Sequence, residues 1–503
     1  MPAIFRIATF LLLCSPLLGS AQYVVDTTAD SPDANPGDGV CAALGGECSV
    51  RAAISEATAM GVAATISIPA GVYGIVNGDL DITTEIEITG ASARTTVLDA
   101  NGASRHFDIS ASGSLTLSGV ELFNGAEVSD HGGAIKNAGI LTVSNVLFNS
   151  CDVSGSLTGA AYGGAIHNSE TAVISNSTFL DCKSTGGDGS NGSGGGGGSC
   201  GAGGAVAHWF GSDLALTNCT ITECWATGGE GGNGSSVLTD GGGGAPGVGS
   251  FGGGGDGGDY SWNDNDGENG GMGGGGGGGS ESSSWWGGAG DGGNAGLYSG
   301  GGGGSSGSSG GGGGGGAGLG GALFLRGGTA SLEHCTLIGN GCLGGDGGTS
   351  SNSALWGGDG TGRGAGVFVY SCTLTLDHTI IQGNTTDGAG DEDIMMASGS
   401  VTSTLGHNLL GDIGTTALNG TTTGNLSALD PLVSALADNG GQTDTFMPLP
   451  CDPISPLIDA GVVSTVTEDQ RGEARDAMPD IGAVEGPTPV EIIIGDTTLC
   501  PGA

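Results

Sequence analysis

Basic residues are scarce in this chain: 503 residues carry 10 Lys and Arg against 52 Asp and Glu, a formal net charge of −42 at pH 7. Counterion release at a phosphate backbone needs a basic surface, and this one repels phosphate, so nucleic acid is excluded as a partner. Long apolar runs are absent beyond the first 21 residues, which excludes a later membrane-spanning helix. Those first residues place Arg6 ahead of the apolar run Ile7 to Leu18 and end in Gly19-Ser20-Ala21. This is the pattern of a secretory signal cleaved before Gln22, and the mature chain is expected to be secreted, extracellular or displayed on an outer surface. Leu13 stands where a small residue would precede a lipid-bearing Cys14, against a lipoprotein.

Glycine is abundant, with 114 residues, and part of it punctuates a repeat. HGGAIKN (131–137) leads to LTVSNVLFNSC (141–151), and YGGAIHN (162–168) leads to AVISNSTFLDC (172–182). GAGGAVAH (201–208), GLGGALFL (318–325) and GRGAGVFV (362–369) lead in turn to LALTNCTITEC, ASLEHCTLIGN and LTLDHTIIQGN, and a weaker copy, LTLSGVELFNG, occupies 115–125. A short strand-like repeat cannot bury its apolar face alone, so the copies must stack. The expected fold is all-β, a right-handed parallel β-helix. Aligning the copies makes Gly119, Asn145, Asn176, Asn218, His334 and His378 equivalent, at intervals of 26, 31, 42, 116 and 44 residues. The excess over one coil must leave as loops.

The chain divides into a signal (1–21), an N-terminal cap (22–62), the β-helix (63–425) with glycine-rich insertions at about 184–201 and 226–317, a closing module (426–486) and a tail (487–503). In the cap, Val50, Ile54 and Ala57 recur at helical spacing, which predicts one amphipathic helix shielding the open first coil. The 226–317 insertion reads as a flexible flap, because glycine loses the most entropy on ordering. It also holds Tyr260, Trp262, Trp285 and Trp286. Aromatics in such a tract are candidate contacts for glycans, extracellular matrix or surface proteins, or they tuck the loop against the solenoid.

Twelve of the 13 cysteines follow the signal, an even number consistent with disulfides in an oxidising compartment. Cys151, Cys182 and Cys224 share one point of three successive coils, and Cys219 and Cys335 share another. Registered positions on adjacent coils lie about 4.8 Å apart, close enough to consider bridges between them. Cys41 with Cys48, and Cys451 with Cys500, are local or end-closing pairs; connectivity stays open at this point.

CSVRAAISEA (48–57) resembles the Cys-Ser-Leu-Arg-Glu segment near the start of many secreted bacterial repeat proteins, with Val50 and Ala52 in place of the leucine and glutamate. The tail from Asn425 through ADNGGQTDTFMPL, SPLIDAG, DQRG and DIGAVE resembles the choice-of-anchor Q domain. The Gly-Gly-Ala-Ile turns echo the repeats of polymorphic outer membrane proteins. These resemblances imply a β-helical surface or secreted protein acting in adhesion, binding or extracellular structure.

The same scaffold also carries polysaccharide lyases and related enzymes, so a polysaccharide-degrading lyase or glycoside hydrolase is the alternative. A lyase needs an Arg or Lys base with carboxylates that hold calcium. Lys136, Arg326 and Arg363 sit in or beside the clear repeats and Lys183 at a loop edge, none with an evident carboxylate cluster at one-coil spacing. No catalytic residue is assigned. His334 and His378, one coil apart, read as a polar bend position hydrogen-bonded along the stack, since their counterparts are asparagines. His131, His167 and His208 recur near the Gly-Gly-Ala turn at differing offsets. Asp264, Asp266 and Glu268 form an oxygen-rich run that makes calcium a possible visitor, although the spacing to Gly267 does not fit an EF-hand. Arg471 and Arg475, among Asp459, Asp469, Asp480 and Glu485, are expected to form ion pairs that fix the closing module.

Overall fold

A computed structural model describes residues 20–156, 159–235, 251–258, 266–280, 290–306, 309–388, 392–450 and 453–487. Each full coil repeats one course. Ile135–Asn137 and Ile140–Ser144 form its first two strands, Leu147–Asn149 follows after a bend, and Asp152–Ser154 follows after a second bend. The next coil lies in parallel register: Ile135 pairs with Ile166, Leu141 with Ala172, Phe148 with Phe179 and Val153 with Ser184. Every named strand pairing is parallel and links one coil to the next, so the protein is a parallel β-helix.

The alternating residues of these strands set the interior. Ile135, Leu141, Val143, Val146 and Phe148 are fully buried in one continuous core, and like residues stack on like. The rings of Phe148 and Phe179 lie 4.4 Å apart and nearly parallel.

Bend chemistry explains the Gly/Asn/His equivalence. Gly119, Asn145, Asn176, Asn218, His334, His378 and then His407 all have φ between 47° and 65°. This left-handed conformation strains most side chains and is tolerated by glycine and asparagine. The three histidine rings stack, 4.5 and 5.6 Å apart.

The cap helix spans Val50–Met60, with the Ser49 hydroxyl accepting from the Ala52 amide at its start and Gly61 in the left-handed conformation at its end. Val50, Ile54 and Ala57 are buried against the first coils. The buried Glu56 carboxylate accepts from the Gly37 and Gly39 amides, and a disulfide joins Cys41 to Cys48.

The other cysteine positions need correction. Cys151, Cys182, Cys219, Cys224 and Cys335 are buried free thiols. Each points inward and donates to a carbonyl of the preceding coil: Cys151 to Leu122, Cys182 to Phe148, Cys224 to Phe179, Cys219 to Ile174 and Cys335 to Leu216, at 3.4 to 3.8 Å. Registered side chains run side by side at the strand spacing of about 4.8 Å, whereas a disulfide needs its Cβ atoms about 3.8 Å apart. The thiols therefore serve as small apolar corner residues. Cys451 and Cys500 lie outside the described residues.

The glycine tract also departs from expectation. Its described residues form an ordered bundle of extended segments rather than a flap. Gly195, Gly198 and Gly201 donate to Gly311, Gly314 and Ala317, while Gly228, Gly231 and Gly234 donate to Leu343, Asp346 and Thr349. The amides of Gly195, Gly196 and Gly197 reach three different segments, at Gly311, Ser190 and Gly255. Three residues per turn is the repeat of a polyproline-type helix, whose unpaired amides ordinarily face water; here neighbouring segments replace the water. Only glycine permits this spacing: a Cβ at Gly195 would lie 1.8 Å from the Gly232 carbonyl oxygen, and one at Gly313 1.9 Å from that of Gly196. The ordering entropy is thus offset by the backbone hydrogen bonds between neighbouring segments.

Residues 438–450 and 453–483 return across the bends of the stack. Arg94 pairs with Asp438 and Asp444, Gln470 bonds Thr178 and Thr220, and the Val462 amide donates to His378.

Candidate functional site

The first strand line of each coil turns its middle residue outward. In register these are Asp81, Asp108, Lys136, His167, Ala207, Phe324 and Phe368. Charged residues at one end therefore run into imidazole and then into aromatic rings.

At the charged end, the Lys136 ammonium lies 2.7 Å from Asp130 and 3.8 Å from Asp108. Arg105, only 4% exposed, contacts Asp130 at 2.8 Å, Glu127 at 3.1 Å and Asp79 at 3.3 Å, and donates to the His131 carbonyl. The sequence shows no evident carboxylate cluster at one-coil spacing from Lys136, whereas the fold sets Asp108 one coil away and Asp130 beside it. Asp108 escaped the sequence reading because its coil lacks the Gly-Gly-Ala turn: His106 occupies that corner, its amide donating to Ala134.

Burial raises the Asp108 pKa against the opposing pull of Lys136 and Arg105. Burial would also raise Asp130, but hydrogen bonds from Lys136 and Arg105 outweigh it and hold that carboxyl at about 2. Burial lowers His131, and burial together with His131 takes His167 to about 3, so both imidazoles are neutral at physiological pH. Their rings lie 5.0 Å apart, and the Nδ1 atom of each is buried without a hydrogen-bond partner. A shallow pocket of about 320 Å³, lined by Arg51, Ile54, Ser55, Thr58, Asp79 and Asp81, adjoins this face under the cap helix.

At the aromatic end the rings fasten the glycine bundle to the wall. Tyr162 donates to the Phe251 carbonyl at 2.8 Å and packs 4.7 Å from Trp209. The Arg326 guanidinium lies 4.3 Å from the ring centres of both Trp209 and Phe251 and 4.5 Å from Phe210. Arg363 lies over Tyr298 at 5.5 Å, and Lys183 pairs with Asp181. These three basic groups are thus engaged away from Asp108.

Tyr260, Trp262, Asp264, Trp285 and Trp286 fall outside the described residues. Asp266 accepts from the Asp291 amide at 2.8 Å, and the Glu268 backbone carbonyl accepts from Gly277. Among the described residues no group of three or more His, Cys, Asp or Glu is arranged to hold a metal ion. Asp266 and Glu268 thus brace the bundle, where Asp188, Asn191, Asn233 and Asn269 likewise cap neighbouring amides. Arg471 pairs with Asp469 at 2.7 Å, and Arg475 bonds Glu485, Gly482 and Asn218 of the wall.

No protein-family model matches the chain, and no curated protein matches it. Among solved structures it aligns with pectate lyase Pel9A over 93% of this chain and 97% of that one, at 13% identity and a TM-score of 0.32. It aligns with the ORF18 protein of Geobacillus virus E2 over 74% and 53% of the two chains, at 8% identity and a TM-score of 0.19. At such values the strand register carries the fold assignment. No described helix is long and apolar enough to cross a membrane.

Proposed function

We propose an exported, non-catalytic binding protein in which the β-helix is a rigid scaffold and the glycine bundle holds contact segments away from it. The observation that carries this reading is where the bundle segments end. Gly252 and Gly273 sit against the wall, within reach of Tyr162 and Cys200. At the opposite end Gly258 donates to Gly278, Gly290 to Ser280, and Asp291 to the Asp266 side chain. The stretches 259–265 and 281–289, which contain Tyr260, Trp262, Trp285 and Trp286, thus both join the bundle at its distal end. Aromatic side chains offer broad contact area to glycans, extracellular matrix or a surface protein, and an ordered bundle beneath them adds no ordering cost of its own on binding.

The test is retention of the mature chain on insoluble glycans and matrix proteins, with and without calcium. Replacing Trp262, Trp285 and Trp286 by alanine together should abolish retention and leave the circular dichroism unchanged. Undiminished retention would refute the role of these residues.

A second reading, a polysaccharide-degrading enzyme, is favoured by Asp81 and Asp108 on registered strands with Lys136 beside them. It requires cleaved products from a polysaccharide panel and their loss in Asp108→Asn; no release from any substrate by folded protein removes it.

A further inference from the structure

We propose that the three stacked bend histidines, His334, His378 and His407, form a latch that holds residues 459–466 of the closing module on the wall and lets go in acid.

The geometry pairs the histidines with alternate residues of that segment. His407 Nδ1 lies 2.6 Å from the Ala460 carbonyl oxygen, His378 Nε2 accepts the Val462 amide at 2.9 Å, and His334 Nε2 lies 3.1 Å from the Ser464 hydroxyl. Two residues along the segment thus match one coil along the wall. The segment also rests on the middle ring, since a Cβ at Gly461 would lie 2.7 Å from a His378 ring carbon. Val463 is 70% exposed, so a single layer of chain separates the rings from water.

A doubly protonated ring does not fit this arrangement. The Val462 amide needs the lone pair of His378 Nε2, so that ring carries its proton on Nδ1, where Asp377 accepts it at 2.8 Å. A second proton would set N–H against N–H and break the bond to Val462. Successive rings lie only 4.5 and 5.6 Å apart, so charge on more than one adds repulsion at short range. Burial, with Arg475 and His378 adding to it, pushes His334 down to about 2, which leaves it neutral while the segment is in place.

The sign follows from linkage. A histidine neutral when covered, and free to protonate near its ordinary value of about 6.5 when uncovered, favours uncovering as pH falls below that value. The charged groups around the rings are Glu333 and Asp377 on the wall and Asp459, Arg475 and Asp480 on the module. Asp377 accepts from the neutral and the protonated ring alike. Burial raises Asp480 to about 7 and raises Glu333, so these two hold their protons better when covered and oppose release.

The anchors on either side do not titrate. Leu457 and Ile481 pack with Ile380 and Leu409, the Glu468 carbonyl accepts from Asn218, and Gln470 bonds Thr178 and Thr220. Release is therefore confined to the stretch between Leu457 and Glu468, and the module stays attached.

Asn145, Asn176 and Asn218 occupy the same bend in earlier coils, at φ between 48° and 56°, so His334→Asn with His378→Asn keeps a residue suited to the bend and removes both titrating rings. Hydrogen exchange of the full mature chain, corrected for the intrinsic effect of pH, tests the latch. Between pH 7 and pH 5 the protection of 459–466 should fall at least about fivefold in the parent, with Ile140–Ser144 unchanged, and should hold or rise in the double variant. Constant protection in the parent, an equal fall in the variant, or parallel loss at Ile140–Ser144 would each overturn the proposal. Should the variant fail to fold, exchange of the ring Cε1 hydrogens in the parent, followed against pH, gives an independent reading. His378 should protonate in step with the loss of amide protection at 459–466; a ring that protonates while the segment stays protected would overturn the latch.

Discussion

The Gly195 amide donates to the Gly311 carbonyl at 2.9 Å, across 116 residues of sequence. That one bond ties the shorter glycine insertion to the end of the longer one, and its three-residue repetition at Gly198 and Gly314 builds the bundle. If close backbone contact is what holds the bundle, a single methyl should damage it. Gly313→Ala puts a Cβ 1.9 Å from the Gly196 carbonyl oxygen, whereas Gly301→Ala meets nothing nearer than 3.6 Å. The first should destabilise by roughly 1–3 kcal/mol and the second should stay within about 0.5 kcal/mol. Differential scanning calorimetry distinguishes them, and equal effects would count against tight packing.

At the bends, backbone conformation rather than side-chain contact should decide tolerance. Asn145 has φ 56°. Asn145→Gly should be close to neutral, and Asn145→Val should cost about 1–2 kcal/mol, the penalty for a side chain in the left-handed region. Chemical denaturation of the two variants provides the comparison.

Buried thiols make a prediction about reactivity. Cys151, Cys182, Cys200, Cys219, Cys224, Cys335, Cys342 and Cys372 are free and buried, while Cys41 and Cys48 are joined. An alkylating reagent without reductant should leave those eight unlabelled in the folded chain and label all of them after unfolding, with Cys41 and Cys48 unlabelled throughout. Peptide mapping reads the pattern; a Cys219–Cys335 bridge would contradict it.

How much of this was legible in the sequence depends on whether a residue's environment is local. The coil register, the cap helix and the equivalence of the bend positions follow from spacing and residue type, because stacking repeats a local conformation; the left-handed backbone at those bends is seen only in the fold. The bundle was not legible: Gly195, Gly232 and Gly311 meet only in three dimensions, and glycine abundance alone reads as entropy. The Asp108–Lys136 pair was hidden because it straddles a coil whose turn is built by His106. The cysteine alignment was visible, but a shared register does not supply disulfide geometry.

Acid should weaken the charged face in a defined window. The Asp130 carboxyl, held at about 2 by Lys136 and Arg105, has an unfolded value near 3.8, so its contribution is complete above about pH 4 and fades as pH falls towards 2. With a carboxylate one-third exposed, that contribution is about 1 kcal/mol after allowing for solvent screening. Thermal unfolding should find Asp130→Asn less stable than the parent at pH 6, with the gap narrowing by pH 2.5. A constant gap would show that the ionised form is not what matters.

The most direct measurement is hydrogen exchange of the mature chain followed by mass spectrometry over 192–200, 228–235, 272–280 and 310–317. An ordered bundle requires these amides to exchange as slowly as the wall strands Ile140–Ser144 and Asp213–Thr217. Exchange at unstructured-chain rates in the glycine segments, beside a protected wall, would contradict the bundle and with it the rigid mount for the aromatic residues.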